Sequence, residues 1–400
     1  MAKREKKALE KKNWVSSFML IGEAKINDYT YKIDEKSTKS DWIYNSLNLG
    51  VFCGEKSGTV YSELMGGYGA ERDNVIYVHG KTDDGKDDFE NKFTIDWDDR
   101  DDKDYLDTIG DLCFYTVGLE KDKNDKVFYK RFLTPYDMIA YIKEHLQDGM
   151  VVNVKGNLKY SMYNGNTQCK KEIASVVLSK AESADKYCAK FTQTMLLDKD
   201  CMGKPDKSTG IMPITAKVLD YVKEWKGRVV KCFVPYAKDF EYELDLKNPD
   251  KSKKAVDKLF KVSKGVTEIT FEGELIEGGA TITATIDDIP DDIKELIEME
   301  VYTEEEALAK CSVSSGREKR MVIRKPLIKM VGDDNESKKP VIQKFERKYE
   351  DEDLVLDFMF ETDEDDTGDV EVAEDYDIFE SDSDSKDKNS EDNMEWLNNL

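Results

Sequence analysis

Gly149 to Glu182 reads GMVVNVKGNLKYSMYNGNTQCKKEIASVVLSKAE, and the pattern of this stretch decides the fold. Val152, Val154, Leu158 and Met162 share one parity, while Asn153, Lys155, Asn157, Lys159 and Tyr163 share the other, as a strand with one buried face requires. Asn164-Gly165 supplies the pair that accepts positive φ at both central positions of a tight type I′ turn, and Ile173 to Leu178 returns as the partner strand. Upstream, Thr134-Pro135-Tyr136-Asp137 opens a helical stretch, MIAYIKEHLQ, with Thr134 to cap it and Pro135 at its first position, and Gly149 closes it. A helix feeding a hairpin whose outward face carries lysines and tyrosines matches the second half of a small closed β-barrel.

Three strand-like segments precede the helix: WVSSFMLIGEAKI from Trp14, DWIYNSLNLGVFCG from Asp41 and TVYSELMGGYG from Thr59. In the second, Ile43, Leu47, Leu49 and Val51 lie on one parity, and Trp42, Tyr44 and Phe52 on the other. Tyr61 and Met65 of the third extend that non-core side, so Trp42, Tyr44, Phe52 and Tyr61 make a candidate base-stacking platform. Tyr44 and Phe52 have a rival role as fillers of the core's far side. Lys155, Lys159, Tyr163, Lys170 and Lys171 around the hairpin are candidate phosphate and base contacts, a combination that gives affinity without sequence choice. Residues 69–130 interrupt the plan as an insertion with strand-like NVIYVHG and NKFTIDW and a hairpin CFYTVG…KVFYKRF. Its acidic stretch offers Asp96, Asp98, Asp99, Asp101 and Asp102 as metal ligands, against the reading of a solvated acidic loop.

After Glu182 the plan repeats. KYCAKFTQTMLL, ITAKVLDYV, VVKCFVPY and FEYELDL lead to Asn248-Pro249, a helical SKKAVDKLFKVS closed by Gly265, and a strand from Val266. There Ile269, Phe271, Gly273 and Leu275 match Val152, Val154, Gly156 and Leu158 at the same spacing; Pro135 to Gly156 spans 21 residues and Pro249 to Gly273 spans 24. The expected architecture is mainly β with a few helices: two OB-like β-barrels followed by a disordered acidic tail. The boundaries are a frayed basic arm at 1–13, a first barrel at 14–184 with the insertion at about 69–130, a second at 185–332, and a tail at 333–400. Residues 287–311 read as helical packing on the second barrel. Arg317, Arg320 and Arg324, in a run with Lys319, Lys325 and Lys329, read either as phosphate contacts or as a charged edge strand guarded against aggregation.

The net charge of −24 is unevenly placed. Residues 351–400 hold 21 Asp and Glu against Lys386 and Lys388, a charge of −19, which leaves −5 for residues 1–350. A nearly balanced body can carry a basic groove, so overall acidity does not exclude a nucleic-acid partner. No run approaches the roughly 18 apolar residues of a membrane span, and the lysine-rich opening leads into no apolar signal core. Seven scattered cysteines without a CxxC pair point to a reducing, cytoplasmic setting without structural zinc.

Motifs of chemistry are few. There is no P-loop, HExxH, dinucleotide fingerprint or GxSxG elbow, and His79 and His145 are the only histidines, so no enzyme activity and no cofactor are expected. Asp363, Asp365, Thr367, Gly368, Val370 and Glu374 approximate an EF-hand loop, with Thr367 departing from the usual Asp or Asn.

The hairpin stretch VVNVKGNLKYSMYNGNTQCKKEIASVVLSKAE resembles the closing strands of OB-fold single-stranded DNA-binding proteins, particularly those of phages and mobile elements of Gram-positive bacteria. The tail resembles theirs in character. In that class a folded binding region precedes an acidic tail whose apolar tip docks on replication and recombination proteins, which implies that role for Trp396, Leu397 and Leu400 of DNMEWLNNL. The insertion, the second barrel and a tip ending in Asn-Asn-Leu depart from the family pattern. The resemblance implies a non-sequence-specific single-stranded DNA-binding protein of a bacterial host cytoplasm. The alternatives are a structural or virion β-barrel protein that binds no nucleic acid, and a metal-dependent nuclease built on the Asp96 to Asp102 cluster.

Overall fold

The computed structural model describes residues 4–359 except 13, 182, 332–337 and nearly all of 279–317. Residues 1–356 form one compact unit; of the second, 357–400, only the short turn Asp357–Met359 is described. The expected helical segment at 287–311, the EF-hand-like loop and the tail tip fall almost wholly outside the described residues.

In chain order the strands and helices are β1 (Ser16–Lys25), β2 (Tyr31–Lys36), β3 (Trp42–Phe52), β4 (Thr59–Gly69), β5 (Val75–Lys81), β6 (Asp87–Asp96), α1 (Lys103–Leu106), β7 (Tyr115–Lys121), β8 (Val127–Phe132), α2 (Pro135–His145), β9 (Val151–Tyr163) and β10 (Asn166–Leu178). There follow β11 (Cys188–Leu197), β12 (Ile211–Trp225), β13 (Arg228–Glu243), α3 (Pro249–Phe260), β14 (Val266–Gly278), β15 (Glu318–Pro326), β16 (Ile328–Val331), β17 (Lys339–Ile342) and β18 (Lys344–Tyr349).

Strand pairing closes twice. In the first circuit β1 pairs β3, β3 pairs β4, β4 meets β10 in parallel at Glu63 and Glu172, β10 pairs β9, and β9 returns to β1. In the second, β11 pairs β12, β12 pairs β13, β13 meets β15 in parallel at Glu241 and Val322, β15 pairs β14, and β14 returns to β11. Both follow the same strand order, with a helix between the third and fourth strands, so the described chain holds two OB-like barrels. Residues 16–21 of β1 pair with 188–193 of β11 and join the circuits into one 14-stranded sheet.

The repeat of Gly156 and Gly273 has a steric cause. Gly156 lies opposite Phe18, and a Cβ there would come within 2.8 Å of the Phe18 ring and overlap the Glu172 carbonyl. Gly273 lies opposite Phe191, where a Cβ would overlap that ring and the Val322 carbonyl. Each glycine thus lets a phenylalanine enter its barrel, and each sits beside a β-bulge that sharpens the bend. In the first barrel's strands Phe18, Leu20, Leu49, Val51, Val60 and Val154 are all buried; the second interior is aromatic, with Phe260 stacked on Phe271 at 5.3 Å. α2 starts as its sequence dictates: the Thr134 hydroxyl accepts from the Asp137 N–H at 3.1 Å, Pro135 occupies the first position, and Met138, Ile139 and Ile142 are buried. It ends at Leu146; Gly149, at φ +79°, makes the turn into β9 instead of capping the helix.

β2 escapes the sequence reading, because YKIDEK is short and polar, and β13 fuses two expected strands into one of 16 residues. The insertion forms a separate β5–β6 sheet, while β7 and β8 extend the main sheet beside β10. No helix among the described residues is long and apolar enough to cross a membrane.

The N-terminal arm is docked where fraying was expected. Leu9 is buried with Leu196, Leu219, Val266, Tyr349 and Leu354, and Trp14 packs against this group. The Arg4 guanidinium and the Lys7 N–H both reach the Asp353 carboxylate, at 2.9 and 2.8 Å. The basic composition concealed two apolar anchors, and residues 339–354, expected to belong to the tail, form strands and a turn that receive them. Burial pushes the Asp353 pKa up, but the N–H groups of Glu350 and Lys7 and the Arg4 charge outweigh it and hold the carboxyl below its ordinary 3.8. A depressed pKa contributes stability that is complete above the ordinary value and lost as pH falls through the folded one. Asp353→Asn should therefore speed tryptic cleavage within residues 4–12 at neutral pH, and pepsin should cut the arm of the parent chain faster as pH drops below about 4. Unchanged cleavage in the variant would mean that Leu9 and Trp14 hold the arm alone.

Candidate nucleic-acid interface

One face of the joined sheet lines both barrel interiors; the other is outward. On the outward face the registers place Lys155 beside Met19 and Met19 beside Lys190, so a row crosses the barrel junction with a lysine on each side. Lys155, Lys159 and Lys190 are exposed, and among the described residues none has a carboxylate partner. Lys159 stands directly opposite Lys170 across β9 and β10. Such a like-charge cross-strand pair is destabilising in water, by roughly 0.2–1 kcal/mol. Lys170 forms a loose ion pair with Glu63 at 3.8 Å. Lys11 also lies near: its pKa is lowered, chiefly by burial, and the Lys159 charge adds to the effect against the attraction of Asp220.

The hairpin tip turns as read, with Asn164 at φ +47° and Gly165 at +77°. It leaves Met162 and Tyr163 exposed, Met162 lying beyond the end of the core it was expected to join.

The expected aromatic platform is split. Trp42 stacks on Tyr44 with ring centroids 4.8 Å apart, but Tyr44 is 5% exposed, so its ring offers no free face to a base. Its rival role as a filler is the one it plays. Phe52 lies at the far end of β3, ten residues and about 33 Å of strand from Trp42. Tyr61 lies near the Phe52 end, its ring over Gly50, and the Lys25 ammonium sits 5.7 Å from the Phe52 ring centre. Phe52 and Tyr61 therefore group with Lys25 and the β1 edge, and Trp42 does not.

Four of the basic candidates do not join this face or lie outside the described residues. Lys170 and Lys171 are adjacent in a strand and must face opposite ways. Lys171 pairs with core-facing Leu158, points inward and forms a buried ion pair with Glu277 of β14; the two side chains are 10% and 8% exposed. Arg320 bonds Glu241 at 2.7 Å, and Arg324 bonds Glu274 at 2.8 Å and also Glu243. These carboxylates already neutralise the two guanidinium groups, which makes them cross-strand ties of the second barrel. Arg317, Trp396, Leu397 and Leu400 lie outside the described residues. In the acidic stretch Asp102 caps α1 by accepting from Asp104 N–H at 2.9 Å, while Arg100 bonds Asp137 at 2.8 Å. Among the described residues no group of three or more His, Cys, Asp and Glu is placed to hold a metal.

Lys190, Met19 and Lys25 were missed because their place depends on the long-range β1–β11 and β1–β3 registers. Also missed was the β12–β13 hairpin end, where Tyr221, Lys226, Arg228 and Lys231 are exposed and Lys226-Gly227 make the turn at positive φ. The sequence YVKEWKGRVVK carried that signal as a basic run interleaved with aromatics.

The model of a family described as YorF matches residues 76–267, from β5 into β14. A solved single-stranded DNA-binding protein from Thermus aquaticus is similar at 8% identity over 81% of this chain and 98% of its own, with a TM-score of 0.30, a likeness that supports no argument about function. No curated protein matches.

The geometry separates the two adjacent lysines. Lys171→Met should lower unfolding stability by about 3–5 kcal/mol, by leaving Glu277 buried and unpaired, and Glu277→Gln should restore much of it in the double variant. Denaturant titration of the three proteins checks this, and an unchanged midpoint for Lys171→Met would remove the ion pair from the fold's supports.

Proposed function

We propose that the chain is a non-enzymatic protein that binds single-stranded DNA without sequence preference along the outward face of β9, β1 and β11. The observation that carries this reading is the lysine set: Lys159 opposite Lys170, with Lys155 and Lys190 flanking Met19, of which Lys155, Lys159 and Lys190 form no ion pair among the described residues. A polyanion passing over that face relieves the repulsion and releases counterions, which favours any sequence equally. Phe52 and Tyr61 beside Lys25 supply stacking surface at the β3 end, and Tyr163 supplies it at the hairpin tip. The protein would coat replication or recombination intermediates in a bacterial cytoplasm, and the apolar tip with Trp396, Leu397 and Leu400 would recruit replication and recombination proteins.

A fluorescence titration with oligo-dT over a salt series tests the reading. Lys155→Ala and Lys159→Ala should each reduce the slope of log affinity against log salt by about 0.7. Lys159→Ala should at the same time leave thermal stability unchanged or slightly higher, since it removes a like-charge neighbour of Lys170. Phe52→Ala should cost about 1–3 kcal/mol of binding if a base stacks there. A parent slope near zero would refute the proposal. Trp396→Ala should abolish capture of a replication partner while leaving oligo-dT affinity as it was; capture that survives would move the partner site elsewhere.

A further inference from the structure

The insertion contains a constellation that the binding face does not use. His79 lies in β5, Asp87 opens β6, and Cys113 ends the short turn Asp111–Cys113. His79 Nε2 is 2.7 Å from Asp87 Oδ1, and Cys113 Sγ is 3.2 Å from His79 Nδ1. The backbone N–H of His79 also points at Sγ, at 3.4 Å. Asp87 Oδ1 accepts from the Leu112 N–H at 2.9 Å, and that bond, followed by the one from His79, holds its carboxyl below the ordinary range. A carboxylate at Nε2 fixes the proton on that nitrogen and leaves the Nδ1 lone pair facing the thiol. The ring is held from its face by Phe89, centroids 4.6 Å apart.

Among the described cysteines only Cys113 has an imidazole within hydrogen-bond reach, since His145 bonds the Tyr141 carbonyl at 2.8 Å. Burial pushes the Cys113 thiol up, and the Asp87 charge adds to this against the His79 N–H. The resting group is therefore a thiol that needs a base to react. The surroundings discriminate between reaction classes. Acyl transfer needs free N–H donors for the oxyanion, but the N–H groups of Gly110, Leu112, Cys113 and Phe114 already bond the His79 carbonyl, Asp87, the Gly110 carbonyl and the Asp111 carbonyl. Attack on a disulfide develops no oxyanion.

The geometry points to Cys113 as a nucleophile toward low-molecular-weight disulfides, with His79 as its proton acceptor and Asp87 as the positioning residue. As Sγ attacks one sulfur of R–S–S–R, its proton moves to His79 Nδ1. The Sγ–S bond forms, the S–S bond breaks, and the departing thiolate takes the proton from the imidazolium and leaves as RSH. The disulfide is the only oxidant, and the product is a mixed disulfide on the insertion.

The full chain treated with 2-hydroxyethyl disulfide, with modification mapped at each cysteine by mass over time, tests this. Cys113 should react at least about tenfold faster than Cys232, a partly exposed thiol with no histidine, and His79→Gln should cut the Cys113 rate by at least about tenfold while leaving Cys232 unchanged. Equal rates at Cys113 and Cys232 in the parent, or an unaltered Cys113 rate in the variant, would overturn the proposal. If His79→Gln loosens the insertion, seen as a lower unfolding temperature, Asp87→Asn decides: a slower Cys113 reaction supports the relay, and an equal or faster one overturns it.

Discussion

The pairing of β1 with β11 is the constraint on which the rest of this structure depends. Phe18 faces Phe191 across it, and paired residues project to the same side of a sheet. Both rings therefore enter barrel interiors, one in each circuit, while Met19 and Lys190 are sent outward together. A slip of one residue would reverse every side chain of β1, moving Phe18 and Leu20 into water and Met19 and Ile21 inside. The apolar content of two barrels thus enforces a single register, and the row Lys155, Met19, Lys190 on the outward face follows from that register.

On the inward side the junction is tied by charge. Glu277 of β14 bonds Lys171 of β10 and accepts from the Tyr61 N–H at 3.2 Å, while its own N–H donates to the Ser57 carbonyl at 2.9 Å. A second tie is Asp220 of β12, which accepts from the Tyr160 N–H at 2.8 Å and pairs with Lys11 at 3.0 Å. Both carboxylates are nearly buried, at 7% and 6% exposure. Buried ion pairs add little net stability over apolar packing, but each leaves an unpaired charge if the barrels shift. Their effect is to specify one arrangement of the barrels, and they do so with residues that local patterning reads as surface groups.

Legibility in the sequence followed the range of the interaction. The β9–β10 hairpin, the Thr134 cap and the matched glycines at 156 and 273 were readable because parity, turn chemistry and capping act within a few residues. For Tyr44 both roles stayed open in the sequence, because parity names the face a ring is on and says nothing about what covers that face. Lys171 was misread through the neighbouring Lys170, although alternation alone allows only one of the two outward. Lys190 carried no local signal, since its partner at the junction lies about 170 residues away. The arm was masked by its charge: five lysines and an arginine among residues 3–12 outweigh Leu9 in composition, yet Leu9 and Trp14 anchor it.

An acidic chain presents a basic face here because its charges are sorted by position. The second barrel's arginines are absorbed by its own glutamates, with Arg320 on Glu241 and Arg324 on Glu274. The arm's cations are absorbed by Asp353 and Asp220. On the β1 side Lys155 and Lys190 meet only Met19, while Glu172 of β10 lies opposite Asn157, between Lys155 and Lys159, and Glu274 of β14, opposite Lys190, is itself bonded to Lys56 and Arg324. Net charge is consequently a poor guide to what this surface attracts. At physiological salt an exposed charge acts over a Debye length of roughly 8 Å. The neighbouring strands, under 5 Å apart, lie within that range, while acidic residues elsewhere on the chain are largely screened. A ligand approaching the β9–β1–β11 face therefore meets these lysines together with Glu172 and the ion-paired Glu274, and not the sign of the whole.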